Sequence, residues 1–188
     1  MLFPGGVLPL HVFEERYRLL VREGRDFGVV LIRTGSEVGP GRGEDIHRVG
    51  TLATLEEVQA LPDGRYHVLA RGLSRFRVAD LDRSRPYLMA RVEPLPEPAP
   101  EARPRLLHLL DRYLEAHGVQ VAPQLSTELG KRAVWMVGSV LQAEPGKRQQ
   151  LLESGDPEIA EALVSSELAK MESLGRLGAV PRRPPSPN

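Results

Sequence analysis

Cysteine is absent from the 188 residues, which removes a disulfide framework, a thiolate metal site and a cysteine nucleophile together. Net charge is absent too, because 25 Lys and Arg balance 25 Asp and Glu. The balance is also local, with 14 against 14 in residues 1–98 and 11 against 11 in residues 99–188. Neither half is a basic body able to neutralise many phosphates, so composition argues against nucleic acid as the main partner. Long apolar runs are missing: the longest is about Phe27 to Ile32, far short of the roughly 20 residues a bilayer span needs. Met1 leads into proline and glycine without a basic region or an apolar core, so no secretory leader is read and the expected compartment is the cytoplasm. Lysine is confined to Lys131, Lys147 and Lys170, and Asn188 is the sole asparagine. A GC-rich genome and a thermophilic origin both produce that bias.

What is present is organised around the first two dozen residues, Leu2 to Gly24. Phe3-Pro4-Gly5-Gly6 reads as a tight turn, since proline presets φ and glycine permits positive φ. Val7-Leu8-Pro9-Leu10 is apolar with an internal proline, which places any strand at an edge or bends it at Pro9. Phe13, Tyr17, Leu20 and Val21 then recur at the spacing of one buried helical stripe. Glu14 and Glu15 suit the first turn of that helix, and Gly24 suits the position just past its end.

Further along, Phe27 to Ile32 reads as a strand buried on both faces, and Arg33 to Asp45 as a Gly-rich polar loop. Val49 to Leu61 predicts a long strand ending at Pro62-Asp63-Gly64, where Asp-Gly between extended runs signals a hairpin. Tyr66 to Ala70 returns, Gly72 marks a bulge or bend, Phe76 to Ala79 continues, and Tyr87 to Val92 closes the β region. Short strands at about ten-residue intervals argue for an all-β barrel or sandwich. Pro94 to Pro100 is a stiff linker. Beyond it the period turns helical. Leu106, Leu109, Leu110, Tyr113 and Leu114 form one stripe, and Leu129, Ala133, Met136, Val137, Val140 and Leu141 a second, capped at Ser126 or Thr127 and stopped at Pro145-Gly146. A short helix is expected over Lys147 to Leu152. Asp156 then caps another that begins at Pro157 and carries Ile159, Leu163, Leu168 and Met171. Pro181 to Asn188 reads as disordered.

Three blocks of this sequence resemble the Lon substrate-binding domain, the module at the N-terminus of Lon proteases that also occurs free-standing. FPGGVLPLHVFEERYR resembles its opening signature, GTLATLEEVQALPDGRYHVLARGLSRFRV its central one, and PYLMARVEPL its closing strand. The resemblance implies a PUA-like β pseudo-barrel and a module that recognises exposed, largely apolar polypeptide. Members of that family usually carry a further apolar strand before the FPGG turn. Here the sequence starts at Met1-Leu2, so either that strand is missing or the start codon is placed late, and an open sheet edge is the expectation in the first case.

Candidate chemistry is sparse. The Gly39-Pro40-Gly41-Arg42-Gly43 loop lacks the spacing of a phosphate loop and precedes a strand instead of a helix. Gly146-Lys147 lacks it as well, so no ATPase module is read. His11, His47, His67, His108 and His117 show no metal-ligand spacing. His108 and Asp111 suit a solvated helix face. Ser165 or Ser166 with Lys170 has the spacing of a Ser-Lys pair, but nothing nearby supplies an oxyanion hole. No catalytic, cofactor or metal residue is assigned.

The polar residues of the opening module and of the Gly72 bend remain. On a structural reading, His11 and Glu14 pin the strand–helix junction, Tyr17 is core with its hydroxyl at the surface, and Arg71 and Arg75 pair with Asp63, Asp80 or Asp82. On a functional reading, His11, Glu14, Tyr17, Arg71 and Arg75 line a groove where an extended polypeptide adds to a sheet edge. A tryptophan-built ligand pocket of the cereblon kind is disfavoured, because Trp135 is the sole tryptophan. The sequence therefore predicts an α+β chain. A PUA-like β pseudo-barrel spans 1–98, a C-terminal α-helical bundle 99–178 and a disordered tail 179–188. The expected function is non-enzymatic binding of unfolded or partly folded polypeptide without a cofactor, and the alternative is a PUA-like RNA-binding protein.

Overall fold

The computed structural model describes residues 1–33, 46–98, 103–119 and 126–178. The Gly39–Gly43 loop, the Ala99-Pro100 end of the linker, the tail from 179 and the Leu129 and cap side chains at 126–127 lie outside the described residues or side chains.

The sheet is built on one long strand. Strand β4 (Tyr66–Asp82) has β3 (Ile46–Ala60) along one edge and two strands end to end along the other. Strand β1 (Val7–Val12) pairs with its first half, Val7 opposite Arg71 and Val12 opposite Tyr66. Strand β5 (Met89–Pro94) pairs with its second half, Phe76 opposite Pro94 and Asp82 opposite Met89. Strand β2 (Phe27–Ile32) lies on the far side of β3. All pairings are antiparallel, and among the described residues the sheet does not close on itself. This corrects the pseudo-barrel expectation to an open five-stranded sheet. The β2 expectation also fails, for its residues are half-buried or exposed. It lies at an edge, where an apolar run has a single neighbour to cover it.

The hairpin forms where Asp-Gly predicts it: the Gly64 N–H donates to the Leu61 carbonyl, and Gly64 has φ +81°. Gly72 is the bend. The register slips there, Leu52 facing Ser74 but Ala53 facing Gly72, so Leu73 is the extra residue of a bulge. Gly72 is required because the opening turn crosses it. Its N–H donates to the Gly6 carbonyl, the Gly5 N–H donates to the Gly72 carbonyl, and a Cβ at 72 would collide with the Phe3 carbonyl. The buried Thr51 hydroxyl donates to the Leu2 carbonyl at 2.7 Å, fixing the same turn from β3.

Helix α1 (Glu15–Glu23) is shorter than its stripe suggests. Phe13 precedes it and is 49% exposed, Tyr17 is 38% exposed, and no α1 residue is fully buried. The expected buried stripe is therefore reduced to Leu20 and Val21, with Val21 packed against a small cluster of Leu2, Val12, Ala53, Val68 and Ala70. Gly24 ends the helix in the left-handed region, as expected, donating its N–H to the Val21 carbonyl. Tyr87 ties α1 to the sheet, its hydroxyl donating to Glu23 at 2.5 Å beside Arg85.

The larger core lies among α2 (Pro104–Ala116), α3 (Ser126–Val140), α4 (Pro145–Ser154) and α5 (Pro157–Gly178). Leu106, Leu110 and Tyr113 come from the first stripe, and Ala133, Val137 and Leu141 from the second. Val140 is exposed and Trp135 is buried in its place. Pro145 opens α4 at its first turn instead of stopping α3, because the missing proline N–H costs nothing there. Asp156 caps α5 as read, its carboxylate accepting the Glu158 N–H at 2.8 Å. This core is not confined to the helices. Phe3 and Val49 belong to it, and Phe3 is fully buried 6.3 Å from the Trp135 ring. Burying such a ring contributes roughly 2–3 kcal/mol, so the opening turn is fastened to the sheet by its backbone and to the helices by its side chain.

Candidate functional site

Strand β1 has β4 on one side, and among the described residues nothing pairs with its other edge. Its residues alternate: Val7, Pro9 and His11 face out, while Leu8, Leu10 and Val12 turn toward the α1 side. The register carries the outward row across the sheet. Val7 stands opposite Arg71, Pro9 opposite Leu69, and His11 opposite His67. Those β4 residues in turn face Thr54, Glu57 and Gln59 on β3. Pro9, Leu69, His11, His67, Glu57 and Gln59 line a shallow open groove over the three strands. Val7 is 52% exposed, and Leu73 at the bulge 44%. Phe13 continues the row beyond β1, its ring 6.1 Å from that of His11.

The charges around this face are mostly paired. Arg71 donates from Nε and Nη2 to Glu56 at 3.1 and 2.6 Å. Arg65 is held by Asp63 at 2.6 Å and also reaches His11 Nε2 at 3.2 Å. The bond from Arg65 holds the Asp63 carboxyl at about 2, below its ordinary 3.8. Arg16 bonds Glu14 at 2.9 Å and lies over the Tyr17 ring, 4.5 Å from its centre. A surface whose cations are already neutralised presents apolar contact, aromatic edges and a free backbone edge more than net charge.

The five residues singled out from sequence do not converge. His11 lies in the outward row, and Arg71 at its side. Glu14 and Tyr17 lie at the start of α1; Glu14 is the N-cap residue but makes no side-chain cap bond. Arg75 is elsewhere altogether. It is 4% exposed, and its guanidinium reaches the Leu152 carbonyl at 3.0 Å, the Glu153 carbonyl at 3.2 Å and the Pro96 carbonyl. It also lies over the Trp135 ring at 4.8 Å. Burial lowers its pKa, with Glu97 opposing. Arg75 thus neutralises the C-terminal end of α4 and locks helices to sheet, and it does not face a groove. Neither arginine pairs with Asp63, Asp80 or Asp82 as the structural reading expected. Plain alternation would carry Arg71, Leu73 and Arg75 to one face; the bulge at Leu73 breaks it, so Arg71 and Leu73 face out and Arg75 turns inward. His67 and Leu69 were overlooked because their pairing with β1 depends on register. Lys170 bonds Glu167 at 2.6 Å, so it is engaged away from Ser165 and Ser166. No helix among the described residues is long and apolar enough to cross a membrane.

With an open antiparallel sheet, an N-terminal turn clamped over its bend and a helical layer behind, relatives can be compared on both fold and sequence. The model of the ATP-dependent protease La (LON) substrate-binding domain matches residues 1–170, and the chain belongs to that family. A Lon protease of Phenylobacterium zucineum is 31% identical across 94% of this chain and 24% of its own length. One from Methylocella silvestris is 29% identical with the same coverage. The chain spans about a quarter of the length of these curated relatives. A crystal structure of a Lon N-terminal domain protein from Xanthomonas campestris superposes with a TM-score of 0.64 at 30% identity, covering 88% of this chain and 92% of that one. The N-terminal domain of a Mycobacterium avium complex Lon protease shares the fold at a TM-score of 0.57 and 16% identity, covering 87% and 90%.

Proposed function

We propose that this chain is a non-enzymatic binding module that captures exposed, largely apolar segments of unfolded or partly folded polypeptide. The observation that carries the reading is the β1 edge: a strand unpaired on one side among the described residues, continuous with an outward row of Val7, Pro9, Leu69 and Phe13. An extended segment added there gains main-chain hydrogen bonds, and its alternate side chains lie along that row. Pro9 withholds one donor and limits indiscriminate strand pairing. His11 and Arg71 border the row, Tyr17 and Glu14 flank its α1 end, and Arg75 supports the scaffold from within. The shared core favours treating the β part (1–98) and the helical bundle (99–178) as one working unit in the cytoplasm. The paired charges on this face favour polypeptide over RNA.

The test is a fluorescence-anisotropy titration of a labelled, permanently unfolded polypeptide at low and high salt. Saturable binding that persists at high salt is expected, since apolar burial is not screened. Absence of binding at both salts overturns the proposal. Binding of single-stranded RNA that collapses with salt would replace it with the nucleic-acid reading.

A further inference from the structure

His11 and His67 are direct partners across the β1–β4 pairing, and both are exposed. Their ring centres are 5.0 Å apart with planes inclined by 58°. Two imidazoles that share one metal at about 2.0–2.1 Å, at roughly right or tetrahedral angles, bring their ring centres about 4.5–5.2 Å apart. The pair already has that separation, on adjacent strands whose register leaves little freedom to drift. From this geometry we propose that His11 and His67 form a two-imidazole site for a borderline transition-metal ion of the Zn2+ or Cu2+ class.

Side-chain chemistry fits such ions, for imidazole nitrogen suits zinc and copper and needs no thiolate. Among the described residues no set of three His, Cys, Asp or Glu is arranged to hold a metal. The protein therefore supplies two ligands, and water fills the remaining positions. Glu57 and Gln59 line the same groove, giving such waters hydrogen-bond partners. One group stands in the way. The Arg65 guanidinium approaches His11 Nε2 at 3.2 Å and donates to the lone pair a metal would use. Arg65 is exposed and has Asp63 as a second partner at 2.6 Å, so it can withdraw to Asp63 when the metal arrives.

The test is direct Zn2+ and Cu2+ titration of the full chain by calorimetry, with electron paramagnetic resonance on the copper form. Saturable one-to-one binding with two coordinated nitrogens is expected. His11→Gln and His67→Gln should each weaken it about tenfold or more, whereas His108→Gln on α2 should leave it unchanged. Arg65→Gln should tighten it, because the competing donor is gone, and that variant serves even where a histidine variant folds poorly. Absence of saturable binding, weakening by one of the two histidine variants but not by the other, or weaker binding in Arg65→Gln overturns the proposal.

Discussion

The Arg75 guanidinium lies 4.8 Å over the Trp135 ring while it donates to the Leu152 and Glu153 carbonyls at the end of α4. One side chain from the middle of β4 thereby joins the sheet, the 94–98 segment and two helices. Trp135 completes the join by donating its indole N–H to Glu97 at 2.7 Å. Replacing Arg75 by Ala leaves buried carbonyls unpaired and removes the cation from the aromatic face. The expected loss is about 3 kcal/mol, read as a lower urea midpoint. Arg75→Lys should restore only part of it, since an ammonium cannot span the three carbonyls. A change below about 0.5 kcal/mol would show that this contact is not the fastening.

Phe3 and Gly138 are the second fastening. The phenyl ring is fully buried and occupies the space where a Cβ at 138 would lie. Phe3→Ala should cost about 3–5 kcal/mol through the cavity it leaves. Gly138→Ala should cost about 1–3 kcal/mol by overpacking. Because both act on the same ring, the double variant should be less destabilised than the sum of the two, which a double-mutant cycle on chemical denaturation measures directly.

How much of this was legible beforehand depended on the range of the interaction. The turns, the Asp156 cap, the Gly24 stop and the Asp63-Gly64 hairpin are local, and sequence placed each of them. Among the described side chains the α2 and α3 stripes were legible except at Val140 and Trp135, where exposure is decided by what packs on α3 and not by periodicity, whereas the α1 stripe failed at the exposed Phe13 and Tyr17. Barrel closure was not legible, because pairing between distant edges leaves no mark in a single strand. The same holds for Arg75, which as an arginine beside a bend reads as surface until α4 is seen behind it. His11 entered the candidate site from sequence, but His67 entered only through the β1–β4 register.

Two titrations should move stability in opposite directions of pH. Asp63 is held near 2 by its bonds from Arg65, below the ordinary 3.8. Its carboxylate therefore contributes stability above pH 3.8, and that contribution is lost as pH falls through about 2. Tyr87 is raised above its ordinary 10.0, chiefly by the hydrogen bond to Glu23. Its contribution is full below pH 10 and disappears as the phenol ionises at higher pH. Denaturation midpoints against pH should show Asp63→Asn flattening only the acid limb, and Tyr87→Phe flattening the alkaline limb together with the part of the acid limb that Glu23 contributes, since the Tyr87 hydrogen bond is the chief cause of the lowered Glu23 carboxyl pKa. If each variant shifts both limbs equally, these pairs do not set the pH dependence.

The outward row gives the last prediction. If an extended segment pairs with the β1 edge, its affinity should follow the apolar face and not the buried arginine. Leu69→Glu and Val7→Glu place carboxylates on positions where the guest's alternate side chains would lie, so each should weaken polypeptide binding about tenfold or more. Both sites are partly or largely exposed, so stability should change by no more than about 0.5–1 kcal/mol. Tyr17→Ala should have a smaller effect, because Tyr17 lies on α1 beside the row and not within it. Arg75→Lys should leave the affinity of the folded fraction unchanged, since that side chain is 4% exposed and turned toward the helices. The decisive readout is the ratio of binding loss to stability loss, from anisotropy and urea titrations on the same preparations. A large ratio for Leu69→Glu with a ratio near zero for Arg75→Lys locates recognition on the open edge. The reverse order would move the binding surface to the helical side.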